Sequence, residues 1–451
     1  MLDTSTKLMN FLDVATCNFT AVKAVADILD KNNFQRLHEG DEWNLESGKK
    51  YYVIKNSTAV FAFIVGNGNV EENGFHIISA HTDSPCFKIK TNCEIYGDGG
   101  VVSLNVEKYG GAILSTWLDR PLSISGRVMV RGENPFACKQ YIVDLRRPVA
   151  TIPNLAIHFN REVNDGYKFS VQKDMKPVIG YFSAEEIAEF KNNGGVIKTL
   201  LAEALNKNNS DCNSNDSEVC QYRPEDILDY ELCLYPAEPA VRVGLNGEYL
   251  QSARIDDLSM AFCGLDALLE EQNTASSATR IIALFDNEET GSGTKQGAAS
   301  PILRHIAERI CGCLSSSKQG FYRALAHSFM ISADDAHGWH PNYNEKYDPT
   351  NHPVLGGGPV VKINANCKYM TDAKSAAVFH ALCEEAGVKM QYFVNHSDVA
   401  GGSTLGNISS AQLDIDGVDV GCAIWAMHSA CETAAFADHL GMIKVFRQFL
   451  K

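Results

Sequence analysis

The chain reads as an α/β protein whose layered-sheet domain is assembled from both ends of the sequence and interrupted by a β-rich insert. Three observations predict this. From residue 254 to the C-terminus, apolar strand-like runs alternate with helical stretches, the pattern of a sheet built with helical connections. A shorter stretch of the same text opens the chain. Between them, β-type runs such as VVSLNV, LSISGRVMV and YIVDL alternate with Gly and Pro, and helix signals are few. The expected organisation is a discontinuous domain over 1–90 and 241–451, with the insert over 91–240.

Taken in order, residues 5 to 32 predict a helix, because apolar residues recur at three- and four-residue steps through FLDVATCNFTAVKAVADILDK. Short strands follow at YYVI (51–54), VFAFIVG (60–66) and FHIISA (75–80). Within the insert, NKNNSDCNSNDSEV (206–219) is polar and of low complexity, which predicts a mobile surface loop. Beyond it DLSMAFCGLDALLEEQ predicts a helix, RIIALF a strand and ILRHIAERICGCL a helix. SFMISA predicts a strand, SAAVFHALCEEAG a helix, MQYFVN a strand, and VGCAIWAM a last central strand. No internal repeat of fixed period is present.

Bulk properties narrow the function classes. With 451 residues the chain is long enough for two or three domains, and 45% hydrophobic with 21% charged residues is an ordinary globular composition. The formal net charge is -15, with no Lys/Arg cluster, which argues against nucleic acid and anionic membranes as partners. The N-terminus MLDTSTKLMNFLDV lacks the regions of a secretion signal, and no apolar run approaches the roughly 18–20 residues of a membrane span. The fourteen cysteines are scattered without a CxxC pair. A cytoplasmic protein with reduced, structural cysteines is expected.

Chemistry concentrates where the buried runs end. FHIISA is followed by His81, Thr82 and Asp83, IIALF by Asp286, Asn287, Glu288 and Glu289, SFMISA by Asp334, Asp335, Ala336 and His337, and VGCAIWAM by His428. Asp256 and Asp257 precede the first helix of the second half. Open α/β sheets bind ligands outside the carboxyl ends of their strands, so these groups converge there if the sheet forms. Adjacent carboxylates such as Glu288 and Glu289 repel each other unless a cation sits among them. His, Asp and Glu in this mixture suit zinc, and an Asp can bridge two ions. The second Glu binding metal, with the first holding a water as general base, would account for the pair. No nucleophile elbow, P-loop, H-E-x-x-H helix or G-x-G-x-x-G spacing competes. The residues alone point to a two-metal hydrolase.

The ordered set AHTDSP (80–85), ARIDD (253–257), FDNEETGS (285–292), SADDAHGWHPNY (332–343), GGGPVVKINANCKY (356–369) and AMHS (426–429) resembles the M18 metallopeptidases, the aspartyl aminopeptidase family. HEGDEW (38–43), KKYYVIKN (49–56) and IPNLAIHFNR (152–161) extend the resemblance over nearly the whole chain. It implies a three-layer α/β/α metallopeptidase domain with an inserted β-rich dimerisation domain. It also implies two divalent ions per subunit, zinc before cobalt or manganese, and dimers assembled into a dodecamer. The implied activity is removal of single residues, Asp or Glu first, from peptides with free N-termini, by attack of a metal-bound hydroxide. Carried over by motif, His81 and Asp334 complete one metal site and Glu289 and His428 the other, with Asp256 bridging. Glu288 becomes the general base, and Asp83 orients the His81 imidazole. His337, His340, Lys362 and Tyr369 are placed around the substrate, Lys362 as the cation for an acidic side chain. His158 in the insert matches a histidine that reaches a neighbouring subunit's active site.

Some positions depart from the family's pattern. Asp335 stands where Met is usual, Asp257 where Asn is usual, and His396 where an Arg is common. These changes make the site less positive. The alternatives are a neutral-residue (Leu-type) aminopeptidase, a two-metal deacylase or carboxypeptidase, and a non-catalytic assembly protein.

Overall fold

A computed structural model describes residues 3–211, 221–315 and 317–451. The chain forms two compact units, one of residues 1–84 with 239–451 and one of residues 85–238.

The first unit is built on a nine-stranded mixed sheet. In spatial order its strands are Gln35–Leu37, Lys50–Lys55, Ala59–Ile64, Thr279–Phe285, Phe75–His81, Phe329–Ala333, Asp416–Gly421, Val360–Ile363 and Gln391–Val394. The four central strands, from Thr279–Phe285 to Asp416–Gly421, run parallel to one another. Their residues divide by alternation, as the two-residue period of a strand requires. Ile78, Ala80, Ile282, Leu284 and Ile331 enter one apolar core, and Phe75, Ile77, Ile281, Ala283 and Phe285 the other. Both faces are therefore covered, which explains why Thr279–Phe285, Phe75–His81 and Phe329–Ala333 read as largely apolar runs. Helices Thr4–Val14, Asn18–Lys31, Ile255–Glu270 and Phe436–Phe449 supply the first core, and Ile302–Leu314 with Leu405–Leu413 the second. The architecture is the three-layer α/β/α arrangement the resemblance implies. Each fully buried Phe or Ile contributes about 1.5–3 kcal/mol relative to exposure.

A second sheet in this unit holds five short strands: Val241–Val243, Tyr249–Ser252, Glu432–Ala435, Ala423–Trp425 and Ala336–His337. Its presence corrects the reading of VGCAIWAM as one central strand. The main-sheet strand ends at Gly421, and Ala423–Trp425 pairs instead with Glu432–Ala435 and Ala336–His337. A Cβ at Gly421 would overlap the Asp334 carbonyl, so the backbones cross closely at that point, and the Cys422 N–H donates to Asp335 Oδ1 at 3.3 Å. The predicted single helix over 5–32 is likewise two helices. Arg254 explains the break: its guanidinium donates to the carbonyls of Leu12 (3.2 Å) and Ala15 (2.9 Å), taking acceptors left open at a helix end. The second helix then starts afresh with the Cys17 N–H donating to Thr20 Oγ1 at 2.8 Å.

The second unit carries a six-stranded antiparallel sheet in the order Lys139–Asp144, Leu122–Val130, Ile227–Pro236, Cys86–Tyr96, Val101–Tyr109 and Val178–Tyr181. It also holds the helices Ala184–Asn192 and Val196–Asp211, more helix than the sequence predicts. Residues 206–211, predicted as loop, complete the second helix, anchored by Leu201, Ala202 and Leu205 in the interior. The remainder of that predicted loop, from 212 on, lies outside the described residues. Among the described residues no helix is long and apolar enough to cross a membrane.

Candidate metal centre

Parallel pairing sets the edge on which the site is built. Phe285 is in register with His81, and Phe329–Ala333 pairs with Phe75–His81 from the other side. The C-terminal ends of all three strands therefore share one edge, where His81, the run Asp286–Glu289 and Asp334 emerge. Asp256 arrives from the start of the Ile255–Glu270 helix, and His428 from the turn between Ala423–Trp425 and Glu432–Ala435. Arg254, Asn287 and His428 hold φ values of 62°, 62° and 69°. Such left-handed backbone costs non-glycine residues about 1 kcal/mol or more and persists where packing over-determines it.

Two donor groups result, and they share Asp256. His81, Asp256, Asp257 and Asp334 form one, and Asp256, Glu289 and His428 the other, each with its donor atoms within 4.8 Å of one another. Asp256 faces both histidines, with Oδ1 3.5 Å from His81 Nε2 and Oδ2 3.4 Å from His428 Nε2. Glu289 Oε1 lies 3.3 Å from the same His428 nitrogen.

Around these donors the polar contacts are specific. His81 Nδ1 lies 3.0 Å from the Asp83 carbonyl and 3.3 Å from Asp83 Oδ1, which aims Nε2 at Asp256. The two Asp83 carboxylate oxygens also accept the main-chain N–H groups of Glu288 and Glu289, at 3.1 and 3.2 Å. Glu432 accepts the N–H of Asp256 at 3.1 Å and that of His428 at 2.6 Å. Sequence reasoning missed Glu432 and gave Asp257 no role. The local text does not mark Glu432 and gives Asp257 only as an extra carboxylate, because what recommends them is a contact across the fold. Asp257 Oδ2 accepts the His81 N–H at 3.0 Å.

The electrostatics are those of an acid-crowded interior. Burial first, and the neighbouring carboxylates second, push Asp257, Glu289 and Glu432 well above the usual carboxylate range, though His81 opposes the rise in Asp257 and Glu289. Burial carries the Glu288 carboxyl up to about 8, with Asp334, Asp83 and Asp256 adding to the rise and His81 opposing it. Asp256 moves the other way: burial pushes it up, but His428 and His81 hold it low. Asp256 Oδ1, Asp257 Oδ1 and Glu289 Oε1 are buried without a hydrogen-bond partner. Unpartnered carboxylate oxygens beside two imidazoles fit a divalent cation, whose charge offsets the repulsion and whose coordination satisfies the oxygens.

A cleft of about 330 Å³ opens over the donors. His337, Lys362, Tyr369 and Phe393 line it together with Asp256, Glu288, Glu289, Asp334 and His428. Among the described residues that line it, Lys362 is the single Lys or Arg. It is buried, donating to the main-chain carbonyls of Asp334 (2.7 Å) and Asp335 (3.3 Å) and pairing with Asp334 Oδ2 at 3.4 Å. Its Nζ also stands 5.5 Å over the Tyr369 ring. His340 is not among the lining residues, and its ring rests on Tyr343 at 5.0 Å. His158 belongs to the second unit, in an exposed stretch where Leu155 and Phe159 are 59% and 81% exposed.

Comparison with known proteins adds four findings. Residues 11–450 match the family described as Aminopeptidase I zinc metalloprotease (M18). A probable M18 family aminopeptidase 2 of Clostridium novyi is 43% identical over 443 residues, covering 98% of this chain and 97% of the relative. Among solved structures, a cryo-EM structure of an Ape4 and Nbr1 complex superposes with a TM-score of 0.92 at 33% identity, covering 99% of this chain and 85% of that one. The mApe1 dodecamer of S. cerevisiae superposes at 0.83 with 26% identity, covering 99% and 96%.

Proposed function

The chain belongs to the M18 family of zinc metalloproteases and is a metalloaminopeptidase, and from that premise we propose that it uses two divalent ions to remove acidic residues from peptide N-termini. The observation that carries the two-ion reading is the pair of donor groups joined at Asp256, with Glu288 on the wall of the same cleft. His81 and Asp334 would hold one ion and Glu289 and His428 the other, with Asp256 a member of both donor groups. When bound, such ions polarise the scissile carbonyl and activate water, zinc being the family's metal.

The chain's own groups do the rest. Glu288 is the general base and then the acid: it takes a proton from the attacking water and delivers it to the leaving amine. A carboxyl lifted by burial exchanges protons near neutral pH more readily than a solvated one. Asp83 keeps Glu288 and Glu289 at their stations through two N–H groups while steering His81. Lys362 is the cleft's cation for an Asp or Glu side chain, with His337 and Tyr369 beside it. An acidic substrate has to draw that ammonium away from Asp334.

One observation favours a neutral-residue preference instead. The Lys362 ammonium already meets the Asp334 and Asp335 carbonyls and the Asp334 carboxylate, and Phe393, Ile408 and Met427 give the same cleft apolar walls. Self-association is part of the proposal. It is supported by a relative solved as a dodecamer and by the exposed Leu155, Ile157 and Phe159 around His158.

The test is a side-by-side initial-rate assay on Asp-, Glu- and Leu-terminated chromogenic substrates, after chelation and on return of zinc, cobalt or manganese, with Glu288→Gln alongside. Metal-dependent cleavage led by Asp or Glu, lost by about 10²–10⁴-fold in Glu288→Gln, is expected. A lead for Leu moves the specificity to the second reading. Undiminished turnover in Glu288→Gln sinks the general-base assignment. Cleavage of N-acyl amino acids with free N-termini untouched would replace the aminopeptidase reaction by a deacylase one. A monomeric mass in solution removes the assembly.

A further inference from the structure

The chemistry above leaves a second donor cluster unused. Asp335, Cys422 and His439 bring a carboxylate oxygen, a thiol sulfur and an imidazole nitrogen within 4.8 Å of one another. They are 3%, 0% and 1% exposed. Each comes from a different element: Asp335 follows the strand Phe329–Ala333, Cys422 joins the two sheets, and His439 lies in the helix Phe436–Phe449.

The histidine is the informative member. Its Nδ1 stands 3.0 Å from the Ala435 carbonyl, an oxygen that can only accept. The proton therefore sits on Nδ1, and Nε2 carries a bare lone pair. That nitrogen is buried and has no hydrogen-bond partner. A backbone carbonyl on Nδ1 with a free Nε2 is how metal-binding histidines are oriented. The carboxylate has capacity as well. Asp335 Oδ1 accepts the Cys422 N–H at 3.3 Å and Oδ2 the Ser259 hydroxyl at 2.8 Å, which leaves each oxygen a second lone pair. Cys263 borders the cluster, its thiol donating to the His439 carbonyl at 3.8 Å, so a further donor stands nearby.

We infer that Asp335, Cys422 and His439 form a buried structural site for a third divalent ion, separate from the centre around Asp256. Thiolate, imidazole and carboxylate together select zinc or cobalt over magnesium and calcium. An ion there ties the segment bearing Asp334 to the junction of the two sheets and to the C-terminal helix. The inference does not depend on the reaction catalysed.

Sulfur makes it testable. The proposed centre around Asp256 offers only nitrogen and oxygen donors, so a thiolate-to-cobalt charge-transfer band reports on a cysteine outside it, and its loss in C422S assigns it to Cys422. The full chain, carrying C313S and C367S to remove the exposed thiols among its described residues and C212S and C220S besides, is stripped with a chelator and titrated with Co²⁺ in the absence of substrate. The band is expected to saturate at one ion per chain and to vanish in C422S, while the visible bands of cobalt at the other donors remain. D335N is expected to weaken the band's cobalt affinity at least tenfold. No thiolate band at saturating Co²⁺ overturns the site, even if C422S fails to fold, and so does a band that persists in folded C422S.

Discussion

The Asp83 carboxylate holds the main chain of Glu288, its Oδ1 accepting the Glu288 N–H at 3.1 Å. The other oxygen takes the Glu289 N–H, and the first also lies 3.3 Å from His81 Nδ1. One side chain thus sets the positions of a proposed base and two proposed metal ligands. Replacing Asp83 by Ala is expected to lower kcat/KM about 10–100-fold, the usual effect of losing a group that orients metal ligands. The comparison is made at matched metal content, measured by elemental analysis. A wild-type rate at equal loading would remove the positioning role.

Glu432 acts at the other end of the centre, accepting the N–H groups of Asp256 and His428. In Glu432→Gln a single carbonyl oxygen remains to serve both. Metal affinity is expected to fall about 10–100-fold, read by competition with a calibrated chelator. Unchanged affinity would mean that the turn bearing His428 is held by its sheet pairing alone.

Metal and stability are coupled. An ion that binds the folded chain and not the unfolded one adds about 2.7 kcal/mol at a free concentration one hundred times its Kd. Chelation is therefore expected to lower the Tm and metal return to restore it, by calorimetry, with the midpoint rising as free zinc rises. A Tm indifferent to chelator would argue that no ion joins these donors.

His76 predicts a pH dependence remote from the centre. Its ring stacks on Phe449 at 4.8 Å, and Nδ1 meets the Phe449 carbonyl at 2.9 Å. Burial first, and the Arg280 charge with it, hold its pKa below 6.5, although the carbonyl contact pulls the other way. The unfolded chain then binds the proton more readily, so stability is lost as the pH falls through 6.5 and below. The urea midpoint of wild type is expected to fall more between pH 7.5 and 5.5 than that of His76→Gln. Parallel decline in the two proteins would exclude His76 as the cause.

The α/β class was legible because it rests on local pattern, whereas the three layers came from the resemblance of the motifs to a known family. RIIALF and FHIISA are apolar on both alternating sets of positions (Ile281, Ala283 and Phe285 against Ile282 and Leu284; Phe75 and Ile77 against Ile78 and Ala80) since both sheet faces are covered, and that is visible without knowing the neighbours. The clustering of His81, Glu289, Asp334 and His428 followed from the same text, each standing just beyond an apolar run. Periodicity could not place the break after Ala15, which depends on Arg254, 239 residues away. It could not divide VGCAIWAM between two sheets, because the division rests on the close approach of Gly421 to Asp334.

What the sequence by itself determined, then, is which residues strand and helix propensity deliver to one sheet edge. Only the tertiary structure decided which acceptor each group meets. It assigned the Asp256 N–H to Glu432, 176 residues on, and the Lys362 ammonium to Asp334. It also left His439, grouped with Asp335 and Cys422, with a buried Nε2 that has no hydrogen-bond partner. Propensity acts over a few residues, whereas the cost of burying an unpaired polar group is settled by whatever the completed fold brings within hydrogen-bonding reach.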